Sequence, residues 1–242
     1  MELLSLVLFP GSLIVFFALD LLRPARHFVA MPRWRVRGLL GLLVFLTVAM
    51  LAPLAWDAWL GEHRLLDTSA LPLVPACALA LLGASLLSYF WHRALHRVPL
   101  LWRSHQLHHS AERVDIFGAF LFHPLDTLGF TLMGSLAMTL VLGVAPGPAM
   151  FANGVLGFCA AFQHANLRTP TWLGWFIQRP ESHALHHQRG VHGYNYGDIA
   201  IWDRVFGTYR NPERWSGLAG FYDGASRRVG EMLLGIDVSR MR

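Results

Sequence analysis

Thr68-Ser-Ala-Leu-Pro-Leu-Val-Pro-Ala-Cys-Ala-Leu-Ala-Leu-Leu-Gly-Ala-Ser-Leu-Leu-Ser-Tyr-Phe-Trp91 contains no charged side chain and runs directly into His92-Arg-Ala-Leu-His96. A membrane-spanning helix needs about 20 mostly apolar residues, so this stretch is long enough to cross a bilayer. On a helix, side chains four apart differ in direction by about 40° and stand one turn apart, so His92 and His96 can face one site at the end of the span. An apolar crossing that delivers paired imidazoles to the membrane surface predicts an all-α integral membrane protein with its chemistry at a helix end.

Two further stretches, Leu3–Leu22 and Leu39–Leu60, meet the same length, for three transmembrane helices. Residues Thr127–Gln163 also carry no charge, and Ala145-Pro-Gly-Pro148 breaks them into a helical hairpin. Each arm is short for a full crossing, so the total is four to five spans or a re-entrant hairpin. The expected organisation is a single membrane domain over 1–242: three spans in 1–91, the first two histidine boxes in 92–126, the hairpin in 127–165 and a histidine-rich cap in 166–242. Met1–Leu22 lacks the charged start and small-residue cleavage site of a secretory signal and reads as a retained span.

Composition agrees. The 242 residues are 54% hydrophobic and 14% charged, with mean hydropathy +0.40, too apolar for an ordinary soluble domain. The net charge of +5 comes wholly from arginine, since the chain contains no lysine. Scattered arginines beside apolar runs fit a membrane surface better than nucleic acid. Cys77 and Cys159 lie in apolar segments without CxxC spacing, which predicts small core residues, not a disulfide or a zinc knuckle.

Arginine also orients the chain. The first connecting loop holds Arg23, Arg26, Arg33, Arg35 and Arg37, whereas the second holds only Arg64. The asymmetry places the first loop in the cytoplasm. Crossing from there puts His92 and everything beyond it on the cytoplasmic face, and the hairpin returns His164 to the side it left at His123. Of the 13 histidines, only His63 then lies opposite.

His105-Gln-Leu-His108-His109 and His183-Ala-Leu-His186-His187 repeat the four-residue spacing. In each, the middle histidine projects about 60° to the other side of the first, so one box can serve two neighbouring metal ions. Eight imidazoles at a membrane interface would each need a polar partner, and a shared metal site supplies it. His92, His96, His105, His108, His109, His183, His186 and His187 are therefore candidate ligands, joined by His164 at the hairpin's end. Neutral imidazole suits iron, zinc, copper and nickel alike. His123 and His192 are candidates for supporting the ligands from behind, as are Glu112, Asp115 and Glu181 through the ring nitrogens facing away from the metal. His27 and His63 read as interfacial residues. The Glu-x-x-His ligands of soluble di-iron bundles and the HExxH of zincin proteases are both absent.

The order HxxxH, HxxHH, HxxHH on a multi-span chain resembles the fatty acid hydroxylase and sterol desaturase superfamily. The resemblance runs from about Leu86 to Arg210. It includes Phe122-His123-Pro124-Leu125, His164-Ala-Asn166, Asn195-Tyr196-Gly197, Trp202-Asp203-Arg204 and Phe206-Gly207-Thr208-Tyr209. It implies a dinuclear iron centre held by the nine histidines named above, with zinc as a metal that can replace iron during purification. The implied activity is O₂-dependent hydroxylation or desaturation of a fatty acyl, sterol or related lipid. Asn195 and Asp203 fall in what resembles the family's closing element, a turn and packing anchor behind the ligands. No His-Pro-Gly-Gly haem motif or dinucleotide motif is present, so electrons are expected from a separate cytochrome b5-, ferredoxin- or reductase-type protein. Phe117–Phe122 and Phe158–Phe162 could line a lipid channel. A membrane metal transporter or store is the competing class, and it predicts buried polar residues inside the spans. A haem cytochrome would need histidine pairs on facing spans.

Overall fold

The computed structural model describes residues 2–240, with side chains described from Val7 onward; Met1, Met241 and Arg242 of the expected single domain lie outside the described residues. Ten α-helices form among the described residues: α1 Glu2–Leu22, α2 Trp34–Leu51, α3 Asp57–Glu62, α4 Leu73–Arg97, α5 Pro99–His109, α6 Pro124–Ser135, α7 Pro146–His164, α8 Pro180–His186, α9 Ala200–Val205 and α10 Val229–Leu233. There are no strands among these residues, only two isolated antiparallel bridges.

Three helical segments are long and apolar enough to cross a membrane: Trp34–Ala55, Leu73–Arg97 and Pro124–Val141. The described part of α1, Val7–Leu22, is a shorter apolar helix. The second span begins earlier than its hydropathy predicts, because Trp34 is buried and its indole donates to Asp115 at 2.8 Å, pulling the arginine-bearing turn into the helix. It also ends earlier, where Pro53 and a turn at Trp56 separate it from α3. The third span runs on through the first histidine box, so His92 and His96 sit inside α4.

The expected hairpin forms with a different interior. Its first arm starts at Pro124 and passes from α6 into a π-helical stretch, Leu136–Val141. Gly143, with φ 56°, then turns the chain into α7, where Pro146 takes an early helical position that needs no amide hydrogen. Both arms pack on α4. α7 also packs along α1, and α2 packs on α6 and the turn at Ile116–Gly118.

This packing gathers the histidine-bearing ends. The C-terminal ends of α4 and α7 and the start of α6 share one end of the bundle with α5 and α8. His63 lies at the other end, where Leu65 and Leu66 donate to the carbonyls of Leu140 and Val141. Beneath the gathered end is an apolar core of Leu13, Phe16, Trp34, Ile116, Phe117, Phe120 and Phe162.

Candidate metal centre

α4 contributes His92 and His96. A single extended residue, Val98, turns the chain so that Pro99 starts α5, which carries His105, His108 and His109 back over the end of α4. His164 is the last residue of α7, and α8 supplies His183 and His186, with His187 at its C-cap. The nine ring nitrogens fall into two groups that could each hold a metal ion: His92, His96, His105, His109 and His186 in one, and His108, His164, His183 and His187 in the other. Within each group the candidate ligand atoms lie within 4.8 Å of one another.

The two HxxHH boxes divide in opposite ways. Box 105–109 gives its i, i+4 pair to the first group and His108 to the second. Box 183–187 gives its i, i+4 pair to the second and His186 to the first. Each box therefore ties the two groups together, as the 40° and 60° helical offsets allow.

The nitrogen geometry fits a cation. His92 Nε2 lies 3.1 Å from both His105 Nε2 and His186 Nε2 and 3.3 Å from His96 Nε2. In the other group His164 Nε2 lies 3.1 Å from His108 Nε2 and from His183 Nε2. At a metal–nitrogen distance of about 2.1 Å, adjacent ligands stand about 3.0 Å apart in octahedral and about 3.4 Å in tetrahedral coordination. These contacts are not hydrogen bonds where the opposite ring nitrogen is already donating. His92 Nδ1 donates to Tyr196 O at 2.7 Å, His186 Nδ1 to Tyr194 O at 2.7 Å, and His105 Nδ1 to the Asp126 carboxylate at 2.8 Å. A neutral imidazole carries one proton, so all three Nε2 atoms present lone pairs to one point. Only a shared positive centre makes that arrangement favourable. The Nδ1 atoms of His96, His108, His109 and His183 are buried without partners.

Electrostatics keep the rings in the ligating form. Burial, followed by neighbouring imidazoles, holds His108, His109, His183, His186 and His187 well below the ordinary histidine range. They are neutral at physiological pH, as metal coordination requires.

Asp126 is a candidate supporting residue that the motifs did not reveal. It is fully buried, bonds His105 through one oxygen and leaves the other oxygen unpartnered. A carboxylate behind an imidazole raises the basicity of the far nitrogen and fixes its tautomer. The signal lies one residue beyond Phe122-His123-Pro124-Leu125, at Asp126. His123 itself bonds no candidate ligand. Its Nδ1 caps α6 by accepting from the Leu125 amide, and its Nε2 donates to Leu233 O at 3.2 Å.

The segment from His192 to Thr208 supports the first group through its backbone. Asn195, at φ 59°, donates to Ser182 O and Arg210 O and accepts from the Arg210 amide. Asp203 is fully buried and accepts from the amides of Tyr196 and Gly197, from Thr208 Oγ1 and from Gln178. Together they fix the loop whose carbonyls at 194 and 196 grip His186 and His92. His192 donates from Nδ1 to His186 O at 3.2 Å and lies against the rings of His96 and His109.

The carboxylates expected behind the imidazoles are engaged elsewhere. Glu112 accepts from the amides of Gly224 and Ser226, Asp115 from Trp34 and Arg113, and Glu181 from Thr169 beside two arginines. They lie near the boxes in sequence, but their oxygens anchor loops. Of the two phenylalanine stretches expected to line a channel, Phe117, Phe120 and Phe162 are core residues. Phe122 alone among them stacks on a candidate ligand, 4.2 Å from the His108 ring. Cys77 and Cys159 are buried and unpaired.

Residues 77–208, more than half of the chain, match the family model for fatty acid hydroxylase. The chain is 34% identical to an ornithine lipid hydroxylase of Rhizobium tropici over 148 residues, covering 59% of this chain and 44% of that protein. It is 32% identical to an alkylglycerol monooxygenase of Xenopus tropicalis over 139 residues, 54% of this chain and 30% of that protein. With the lathosterol oxidase of Homo sapiens it shares 29% over 134 residues, 53% of this chain and 43% of that protein. It spans less than half the length of each of these relatives. No solved structure matches the chain. The match of the family model across all three histidine boxes and the supporting loop shows that this chain belongs to the fatty acid hydroxylase family.

Proposed function

We infer that the protein is a membrane-bound, O₂-dependent lipid hydroxylase or desaturase built on a dinuclear iron centre. The observation that carries this reading is the reciprocal division of the two HxxHH boxes, which sets five and four imidazoles side by side. His92, His96, His105, His109 and His186 would hold one ion, and His108, His164, His183 and His187 the other. The names of the relatives support a lipid substrate, since they specify an ornithine lipid, an alkylglycerol and lathosterol.

When bound, such a metal pair supplies O₂ activation for oxidation of a C–H bond, with electrons delivered by a separate donor protein. The chain's own residues prepare the site. The Tyr194 and Tyr196 carbonyls and Asp126 accept hydrogen bonds from the Nδ1–H groups and leave the opposite lone pairs aimed inward. Burial of all nine rings but the partly exposed His96 excludes bulk water. Phe122 stacks on His108, and Phe130, 6.0 Å from Phe122, meets His92 edge-on at 5.8 Å. These two rings make an apolar wall shared by both groups, against which an alkyl chain can be positioned. The arginine-rich first loop supports a cytoplasmic active site.

Anaerobically purified protein is expected to contain close to two irons per chain and to lose metal on His108→Ala. One ion or fewer, or haem absorbance, would overturn the dinuclear reading. A lipidome of cells with and without the protein, grown under ¹⁸O₂, tests the reaction. Labelled lipid indicates hydroxylation, and a new unsaturation without label indicates desaturation. Neither, together with altered metal uptake, would replace the oxidase reading with transport.

A further inference from the structure

The cap does not sit wholly beyond the membrane end of α4, because α9 lies alongside that helix. Trp202 Nε1 donates to Ser85 Oγ at 2.9 Å, and the Tyr89 hydroxyl shares a 2.9 Å hydrogen bond with Thr208 Oγ1. Phe206 packs 5.0 Å from Phe90 and 5.2 Å from Tyr89. Ser85 precedes the last residue of α4 by about 18 Å of helix rise, and Phe90 by about 10 Å. The whole of α4 is about 37 Å long against a hydrocarbon core of about 30 Å, so these contacts lie at the level of the apolar part of the span.

The outer surface of this region is apolar. Ile201, Val205 and Phe206 are 44%, 63% and 38% exposed, beside Trp172, Trp175 and Phe176 at 59%, 65% and 68%. The two segments form one face: the Ala200 amide donates to Phe176 O at 3.1 Å, and Ile177 bridges Ile199. Arg204, the cation within α9, lays its guanidinium 3.9 Å over the Trp175 ring and donates to Gly174 O. Its stem and its cation–π contact keep the charge beside the indole without breaking the face. In water so many large side chains on one face would be a costly patch, whereas tryptophan with arginine is the usual composition of a membrane interface.

We propose that the face formed by Trp172–Phe176 and α9 is embedded in the lipid leaflet that receives the C-terminal end of α4. The occupant is lipid because this face continues the exposed surface of a spanning helix at Phe90, itself 46% exposed. The proposal rests on α4 crossing the membrane and not on the metal or the reaction. It also places Asp203, which holds the 196–197 loop, on a helix anchored in the bilayer.

Full-length protein in phosphatidylcholine vesicles, spin-labelled at Val205→Cys or Trp172→Cys, tests this by collision with oxygen and with an aqueous nickel chelate. Cys77 and Cys159 are buried and are first checked for lack of labelling. Leu43→Cys on the exposed side of α2 serves as the lipid reference, and Glu213→Cys as the aqueous one. Both test positions are expected to be oxygen-rich and nickel-poor, at a depth of about 5–10 Å below the headgroup boundary. Nickel access like that of Glu213 would overturn the proposal. So would shielding from both reagents, which would mean a protein neighbour. Quenching of native tryptophan fluorescence by brominated lipid, reduced in Trp172→Phe and Trp175→Phe, provides a second readout without cysteine variants.

Discussion

A metal-binding imidazole uses one nitrogen, and the group holding the other nitrogen sets its basicity and direction. Asp126 does this for His105 with a buried carboxylate at 2.8 Å. Asp126→Ala is expected to weaken metal retention by about 10–100-fold in a chelator competition, and Asp126→Asn by less, because the amide oxygen still accepts the Nδ1 proton. Asp198 is perturbed in a different way. Burial pushes its carboxyl up to about 7, against a smaller downward pull from the Gln163 amide, which donates at 2.9 Å. A raised acid pKa means that the folded state holds a proton which the unfolded state has released, so stability falls as pH rises from the ordinary 3.8 to about 7 and is flat above. Asp198→Asn removes that cost. In thermal unfolding scans it should gain on the order of 1–2 kcal/mol at pH 8 and nothing near pH 4. Equal gains at both pH values would show that Asp198 ionises normally.

Among the elements, α2 shows how packing shifts what hydropathy reads. Its apolar run predicts a span ending at Leu60, but Gly38 and Gly41 let the helix press directly onto residues 117–121. A Cβ on Gly38 would overlap the Phe117 backbone, and one on Gly41 would stand 2.9 Å from Leu121 Cα. Gly38→Ala is therefore expected to destabilise the detergent-solubilised protein by about 1–3 kcal/mol. Gly11 in α1 has open space around the same position, so Gly11→Ala should be neutral or stabilising by up to about 1 kcal/mol. A neutral or stabilising Gly38→Ala, like that expected of Gly11→Ala, would mean that helix propensity, not close approach, governs α2. The loop that Gly38 admits leads to Phe122 and its stack on His108, so this helix contact also positions the site.

At the level of the whole molecule, a buried ion network joins parts of the chain that hydropathy treats separately. Arg179 is fully buried. Its guanidinium donates to Thr169 O, Asn211 Oδ1 and Pro212 O, and it pairs with Glu181 at 3.1 Å. Glu181 also lies 3.6 Å from Arg26 of the first loop. The sequence around Arg179-Pro180 reads only as a turn, because an arginine whose hydrogen-bond acceptors lie 10 to 34 residues away carries no periodic signal. Glu181→Gln leaves two guanidinium groups without their counter-charge. It should cost about 3–5 kcal/mol in chemical denaturation. A loss below about 1 kcal/mol would show that water screens the network.

The sequence by itself determined the all-helical membrane class, the end of the bundle where the histidines gather and the three boxes that supply them. Apolar length and four-residue spacing are local properties of a helix, and local physics fixes them. Only the tertiary structure decided how the boxes divide into groups of five and four, and which acceptors hold the outer nitrogens. Besides the Ala160 carbonyl within α7, which holds His164, those acceptors are Asp126 and the carbonyls at 194 and 196. These last three reach the imidazoles across turns and between helices, through contacts set by three-dimensional packing and not by spacing along the chain.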